Sequence, residues 1–81
     1  MRVTVRLFAR LRDLVGSAEL VQEASAGATV QSVWDALVHE HPAIAEYAKS
    51  MSCAVNADYA RMTTVVVDGD EVAFLPPVSG G

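Results

Sequence analysis

One segment of this 81-residue chain can form a long amphipathic helix, and it limits how the remainder can fold. Thr29 offers a hydroxyl suited to capping a helix N-terminus. Pro42 disfavours helical geometry at the residue before it, so the helix should end near His41. Between these limits the apolar residues recur on one helical face, at Val30, Val33, Trp34, Leu37 and Val38. A single helix must bury this stripe against a sheet.

The segments around the helix show the alternation that is typical of strands. Residues 2–8 place Val3, Val5 and Leu7 on one face and Phe8 on the other. Short helical pieces are predicted before Gly16 and in residues 44–51. Further strands are predicted at residues 19–24, 53–56, 59–62 and 71–75, and residues 63–67 are also rich in β-prone side chains. The sequence therefore predicts an α+β domain in which one main helix covers one face of a mixed sheet.

The charge and cysteine content exclude several classes of protein. Six Lys and Arg against ten Asp and Glu give a net charge of −4, which argues against a nucleic-acid binder that must neutralise phosphates. One cysteine cannot form an internal disulfide. No stretch has the apolar character of a signal peptide or a membrane span. We therefore expect a cytoplasmic protein without a membrane or nucleic-acid partner.

Catalytic and metal-binding patterns are weak in this sequence. His39 and His41 lie two residues apart and point in different directions, so they make a poor metal pair. Cys53 lies in an apolar strand and is expected to be a buried structural thiol. The acidic residues of the 68–71 turn lack the ligand spacing of a calcium loop. We therefore expect no metal site, no bound cofactor and no autonomous active site.

The C-terminus is the part of the chain that suggests a function. Pro76 and Pro77 should stop the last strand, while Gly80 and Gly81 leave a slender end with free backbone rotation. We therefore divide the chain into a folded domain, residues 1–75, and an extended, flexible C-terminal tail, residues 76–81. Six extended residues reach roughly 20 Å, enough to enter the active site of another protein. The alternative is an ordinary frayed terminus.

An apolar docking surface beside the tail is predicted from side-chain parity. If Val72 and Phe74 lie in the core, Leu75 points outward, on the same side as Phe8. Tyr59 is the third candidate. A composition that is 52% hydrophobic also predicts exposed apolar surface for a partner. Alternatively, Phe8 or Tyr59 completes a small satellite core beneath a loop.

Several of these segments together resemble a known family. They are Phe8-Ala9-Arg10, Leu14-Val15-Gly16, Ala54-Val55-Asn56, and the run from Asp68 through Pro76-Pro77-Val78-Ser79-Gly80-Gly81. The chain resembles the MoaD family, the small subunits of molybdopterin synthase, which are ubiquitin-like sulfur carriers with a β-grasp fold. Residues 63–67 depart from the family because they lack a turn-forming proline often found there.

The resemblance implies a function as carrier and co-substrate. Gly81 would be adenylated by an E1-like activating enzyme that consumes ATP, and then converted to a thiocarboxylate with sulfur from a donor protein. The large subunit of molybdopterin synthase, with which such carriers form a heterotetramer, would transfer this sulfur to cyclic pyranopterin monophosphate. The implied contacts with partners are Phe8, Tyr59, Leu75, Pro76, Pro77, Val78, Ser79 and Gly80.

Other functions share the fold and the terminal Gly-Gly. A sulfur carrier could serve thiamine synthesis, tRNA thiolation or cysteine synthesis instead. A ubiquitin-like modifier would join Gly81 to lysines of target proteins, and a pure binding module would leave its tail unmodified. The product formed on Gly81 distinguishes these three classes.

Overall fold

The computed structural model describes residues 1–77, which form five strands, two α-helices and one 3₁₀ helix. In chain order these are β1 (Arg2–Leu7), α1 (Ala9–Val15), β2 (Glu19–Glu23), α2 (Val30–Glu40), the 3₁₀ helix (Pro42–Tyr47), β3 (Ser52–Val55), β4 (Asp58–Ala60) and β5 (Glu71–Leu75). No helix in this part of the chain has the length and hydropathy needed to cross a membrane.

The five strands form one mixed sheet in the order β2-β1-β5-β3-β4. The central pair, β1 and β5, is parallel, although its strands lie at opposite ends of the chain. The other three pairs are antiparallel. This arrangement is the ubiquitin-like β-grasp, and the predicted α+β class with one main helix is confirmed.

The core lies between α2 and one face of the sheet. In β1 the alternation predicted from the sequence is confirmed, because Val3, Val5 and Leu7 are at most 1% exposed. The indole of Trp34 on α2 packs against the ring of Phe74 on β5, with centroids 5.1 Å apart and planes tilted by 59°. Such tilted aromatic pairs add to the free energy gained from burial.

The ends of α2 agree with the sequence prediction. The hydroxyl of Thr29 accepts a hydrogen bond from the backbone N–H of Ser32 at 3.2 Å, and the Ser32 hydroxyl accepts one from the N–H of Thr29 at 3.3 Å. This reciprocal pair is a capping box. The helix ends at Glu40, directly before His41 and Pro42. Local signals therefore determine both ends of this helix.

The segment 63–67 does not form a strand, in contrast to its β-prone composition. Within residues 1–77, its one ladder contact is an isolated bridge between Val65 and Thr29. The N–H of Val66 donates to the Ala28 carbonyl at 2.9 Å, and the side chain of Val66 is buried in the core. The segment thus pairs with the approach to α2 rather than with the sheet. Its β-branched residues serve a loop that closes one side of the core.

Two further element predictions need correction. The helical piece predicted within residues 44–51 is a 3₁₀ helix, and it begins earlier, at Pro42. The strand predicted for residues 59–62 is displaced and short: it spans Asp58–Ala60, because Arg61 and Met62 already turn into the following loop. Both errors occur where short elements lack a strong periodic pattern.

The turns at one end of the sheet are held together by Asp70. One carboxylate oxygen of Asp70 accepts a hydrogen bond from the Asn56 side-chain amide, and the other accepts one from the N–H of Val67, both at 2.9 Å. Asn56 also accepts a bond from the N–H of Glu71. These donors stabilise the charged carboxylate, so the hydrogen bonds from Val67 and then Asn56 lower the pKa of Asp70. Asp70 therefore stabilises the turns at this end of the sheet through its hydrogen bonds.

We expect Asp70→Asn to lower the melting temperature modestly at neutral pH and to have less effect in acid. The folded-state pKa of Asp70 lies below its ordinary value of 3.8. Its ionised form therefore stabilises the fold above that value, and this stabilisation is lost as the pH falls through the folded pKa. Thermal unfolding of both proteins between neutral pH and about pH 2 tests this. A difference that stays constant with pH would show that the charge of Asp70 contributes nothing.

Candidate functional site

The parallel pairing of β1 and β5 determines where the C-terminal tail leaves the domain. Leu7 and Phe74 are partners in the register of these strands, and both strands end within one residue of that pair. Parallel strands that end together bring their following residues to the same edge of the sheet. Phe8 and Leu75 therefore come together at the point where the chain continues into Pro76.

A groove of about 740 Å³ lies at this edge. We call it the strand-end groove, and its lining is largely apolar. It comprises Phe8, Ala9, Arg10, Tyr47, Leu75, Pro76 and Pro77. Its position next to the tail makes it the best candidate for a docking site among the described residues.

Phe8 is displayed at this groove by a sharp change of backbone direction. Its side chain is 39% exposed, and the Arg6 guanidinium lies 5.9 Å from the centre of its ring. Ala9, the first residue of α1, has a φ of +49°, in the left-handed region that a non-glycine residue adopts at a cost of about 1–2 kcal/mol. The strained residue thus stands at the start of α1, two residues after the end of β1, within the groove lining.

Arg6, whose guanidinium lies over the ring of Phe8, is itself flanked by two carboxylates. Its guanidinium lies 3.9 Å from a carboxylate oxygen of Glu19 and 3.8 Å from one of Glu71. These distances are longer than a charge-assisted hydrogen bond. The two glutamates therefore balance the charge of Arg6 without fixing its geometry through close hydrogen bonds.

Among the predicted docking residues within 1–77, Tyr59 is the one that lies outside the strand-end groove. It is 85% exposed and lies on β4, one of the two edge strands of the described sheet, opposite Ala54 of β3. Because directly paired residues share a face of the sheet, Tyr59 belongs to the same open face as Ala54 and Ala73. The role of Tyr59 in docking stays a prediction, and it would concern the open face of the sheet rather than the groove.

Phe8, Leu75, Pro76 and Pro77 are brought together in the groove, whereas Val78, Ser79, Gly80 and Gly81 lie outside the described residues. Leu75 is half-buried, so it contributes to the fold as well as to the groove surface. The predicted modification of Gly81 and the predicted contacts of the last four residues stay predictions.

Sequence reasoning missed three residues of the groove: Ala9, Arg10 and Tyr47. Tyr47 ends the 3₁₀ helix and packs partly against the core. Tyr47 is far from Phe8 and Leu75 in the sequence, so no local pattern could indicate that the three residues meet. Arg10 lies two residues after Phe8, and this closeness in the sequence was the one signal that could have identified it.

The single thiol shows no sign of reactivity. Cys53 is buried at 5% exposure, and its Sγ donates a hydrogen bond to the Ala60 carbonyl at 3.2 Å. Burial raises the pKa of this thiol, which keeps it protonated at neutral pH. The chemistry of Cys53 therefore agrees with a structural role.

The comparison with protein families decides the identity of the domain. The model of the ThiS family matches residues 5–81, nearly the whole chain. This chain belongs to the ThiS family. The residues that line the strand-end groove, from Phe8 to Pro77, all lie within the part of the chain that matches the ThiS family.

Known ThiS-like relatives include both carriers and modifiers. The molybdopterin synthase sulfur carrier subunit of Arabidopsis thaliana is 36% identical over 81 residues, covering 100% of this chain and 84% of the relative. SAMP1 from Haloferax volcanii is 31% identical with a TM-score of 0.90, and the match covers 100% of both chains. A complex of subunits 1 and 2 of the molybdopterin-converting factor from Helicobacter pylori contains a chain that is 26% identical, with a TM-score of 0.69 and 100% coverage of both chains.

Proposed function

We propose that this chain is the sulfur carrier subunit of molybdopterin synthase. The observation that supports the proposal is the strand-end groove, a largely apolar surface beside Pro76 and Pro77, from which the chain continues in sequence to Gly80 and Gly81. The similarity to a plant subunit of that name over the whole chain supports the same function.

The proposed chemistry takes place at the C-terminal carboxylate of Gly81. A carboxylate with a pKa near 3.5 is ionised at pH 7 and is a poor electrophile. An E1-like enzyme would join it to the α-phosphate of ATP, releasing pyrophosphate. A sulfide equivalent from a donor protein would then displace AMP and leave a thiocarboxylate on Gly81. ATP is consumed by the activating enzyme, and the carrier itself is proposed to hold no cofactor.

The domain supplies recognition in this scheme, and the large subunit supplies catalysis. Docking at the groove would direct the tail into the active site of the large subunit, where the sulfur is transferred to cyclic pyranopterin monophosphate. A complex between two subunits of a similar protein is consistent with such docking. We propose a heterotetramer of two carriers and two large subunits, acting in the cytoplasm.

A second function is favoured by the similarity to SAMP1, a small archaeal modifier protein by name. In that case the activated carboxyl of Gly81 would be attacked by a lysine of a target protein, forming an isopeptide bond. Both functions use the same activation, so they differ in the nucleophile that follows.

We expect incubation with the activating enzyme, ATP and a sulfur donor to exchange one carboxylate oxygen of Gly81 for sulfur. Intact-protein mass spectrometry registers the exchange, and fragmentation locates it. Addition of the large subunit and cyclic pyranopterin monophosphate should then remove the added mass. Cys53→Ala is the control, because it eliminates the one thiol that could hold sulfur as a persulfide.

Three results would contradict this proposal. Sulfur that disappears with Cys53→Ala would place it on the thiol rather than on Gly81. A thiocarboxylate that persists with the large subunit and its substrate, but discharges into thiazole synthesis, would assign the carrier to another pathway. An isopeptide between Gly81 and a lysine would identify a modifier.

A further inference from the structure

Arg10 is the one charged side chain in the described lining of the strand-end groove. It is exposed and lines the groove together with Phe8 and the prolines that begin the tail. Neither Asp nor Glu lines the groove in residues 1–77. On a chain of net charge −4, the groove is therefore a local site of positive charge.

Arg10 differs from the other arginines of the N-terminal region in its electrostatic surroundings. Arg2 pairs with Glu23 at 2.8 Å, Arg6 lies between two glutamates, and Arg12 is 3.7 Å from Asp13. Arg10 forms no such pair with a carboxylate of residues 1–77. Its guanidinium thus has hydrogen-bonding capacity that the described fold does not use.

A partner that fills the groove must satisfy this guanidinium. Apolar contact alone would strip water from the charge without replacing its hydrogen bonds, which is unfavourable. A lysine or arginine at that position would place like charges together. A carboxylate restores the lost hydrogen bonds, and the planar guanidinium binds it in a bidentate geometry.

We infer that the strand-end groove accepts an apolar side chain of its protein partner that is flanked by an acidic residue, and that Arg10 pairs with this acidic residue. The inference rests on the proposed function in taking the large subunit as that partner. The apolar walls provide most of the affinity, and Arg10 provides selection among partners.

Calorimetric titration of the carrier into the large subunit tests the role of Arg10. In about 0.1 M salt, we expect Arg10→Ala to raise Kd about threefold and Arg10→Glu to raise it at least about tenfold. In about 1 M salt, where the Debye length is about 3 Å, the effect of Arg10→Glu should shrink. Arg12→Glu is the matched control, because it makes the same charge change on α1 outside the groove lining, and it should change Kd less than about twofold.

Equal weakening by Arg10→Glu and Arg12→Glu would overturn the inference, because net charge would then explain the result. Unchanged affinity of Arg10→Glu would also overturn it. If the Arg10→Glu variant loses self-association that the wild type shows in sedimentation, the groove is instead an interface between copies of this chain, which again overturns the inference.

A second measurement separates this inference from the proposed function. If the wild-type chain does not bind the large subunit, the proposed function fails, and NMR titration with two capped peptides then decides the groove chemistry. The peptides are Phe-Glu and Phe-Gln. Stronger binding of Phe-Glu, with shifts at Phe8 and Arg10 that Arg10→Glu removes, supports the inference, and equal binding of both peptides overturns it.

Discussion

Deletion of Gly81 should abolish sulfur transfer, by a factor of about 10³ or more, and leave the melting temperature nearly unchanged. The proposed acyl chemistry needs the carboxylate at this position, since a shorter chain carries its carboxylate about 3.5 Å nearer the domain. Misplacement by even 1 Å can reduce a rate about a hundredfold. Activity would be measured as pyranopterin converted by the large subunit, and stability by thermal unfolding.

The expectation for stability follows from where the core ends. Among residues 1–77, the last residue of the buried core is Phe74, and Pro77 is exposed. Gly80→Val is a companion variant that keeps the length, and it should also block transfer because its branched side chain thickens the tail. Activity that survives the deletion of Gly81, or a deletion that unfolds the domain, would refute the carrier function of the C-terminus.

The parts of the fold that could be predicted are those with a strong local period. The alternation of Val3, Val5 and Leu7 identifies a buried strand face without any knowledge of its neighbours. The stripe of α2, together with its hydroxyl cap and Pro42, determines a helix almost to the residue. In such segments the same few residues determine both the local structure and the buried face.

The loop at residues 63–67 shows where local reasoning fails. Three consecutive valines have the composition of a strand, yet Val66 alone is buried while Val65 and Val67 are mostly exposed. The long-range hydrogen bonds of this loop join it to residues just before and at the start of α2, over thirty positions away in the sequence. Nothing in the composition of the loop could reveal that partner.

The candidate site also has some features that local sequence patterns predict and others that depend on tertiary contacts. The tail and the outward positions of Phe8 and Leu75 follow from short patterns in the sequence. The groove itself requires β1 to pair with β5 and the 3₁₀ helix to bring Tyr47 beside them. The sequence could therefore predict two residues that line the groove, while the groove itself and the charge of Arg10 within it depend on tertiary structure. The modification of Gly81 and docking by Phe8 and Leu75 stay predictions.

Phe8→Asp should weaken binding to the large subunit by about 30-fold or more, which corresponds to about 2 kcal/mol or more for a hot-spot side chain. The change introduces a charge where the partner is expected to insert an apolar group. Because Phe8 is 39% exposed, its loss should lower the melting temperature much less than the loss of a core residue. Calorimetric titration and thermal unfolding measure the two effects separately.

Val67→Asp provides the matched control for Phe8→Asp. Val67 is an exposed apolar residue, 60% accessible, in the loop that leads into the start of β5, whereas the groove lies at the end of that strand. Its replacement makes the same charge change and should leave the affinity within about twofold of the wild type. If both variants weaken binding equally, added negative charge is the cause. If Phe8→Asp leaves the affinity intact but sharply lowers the melting temperature, Phe8 belongs to the folded core, and docking must use another surface such as the open sheet face around Tyr59.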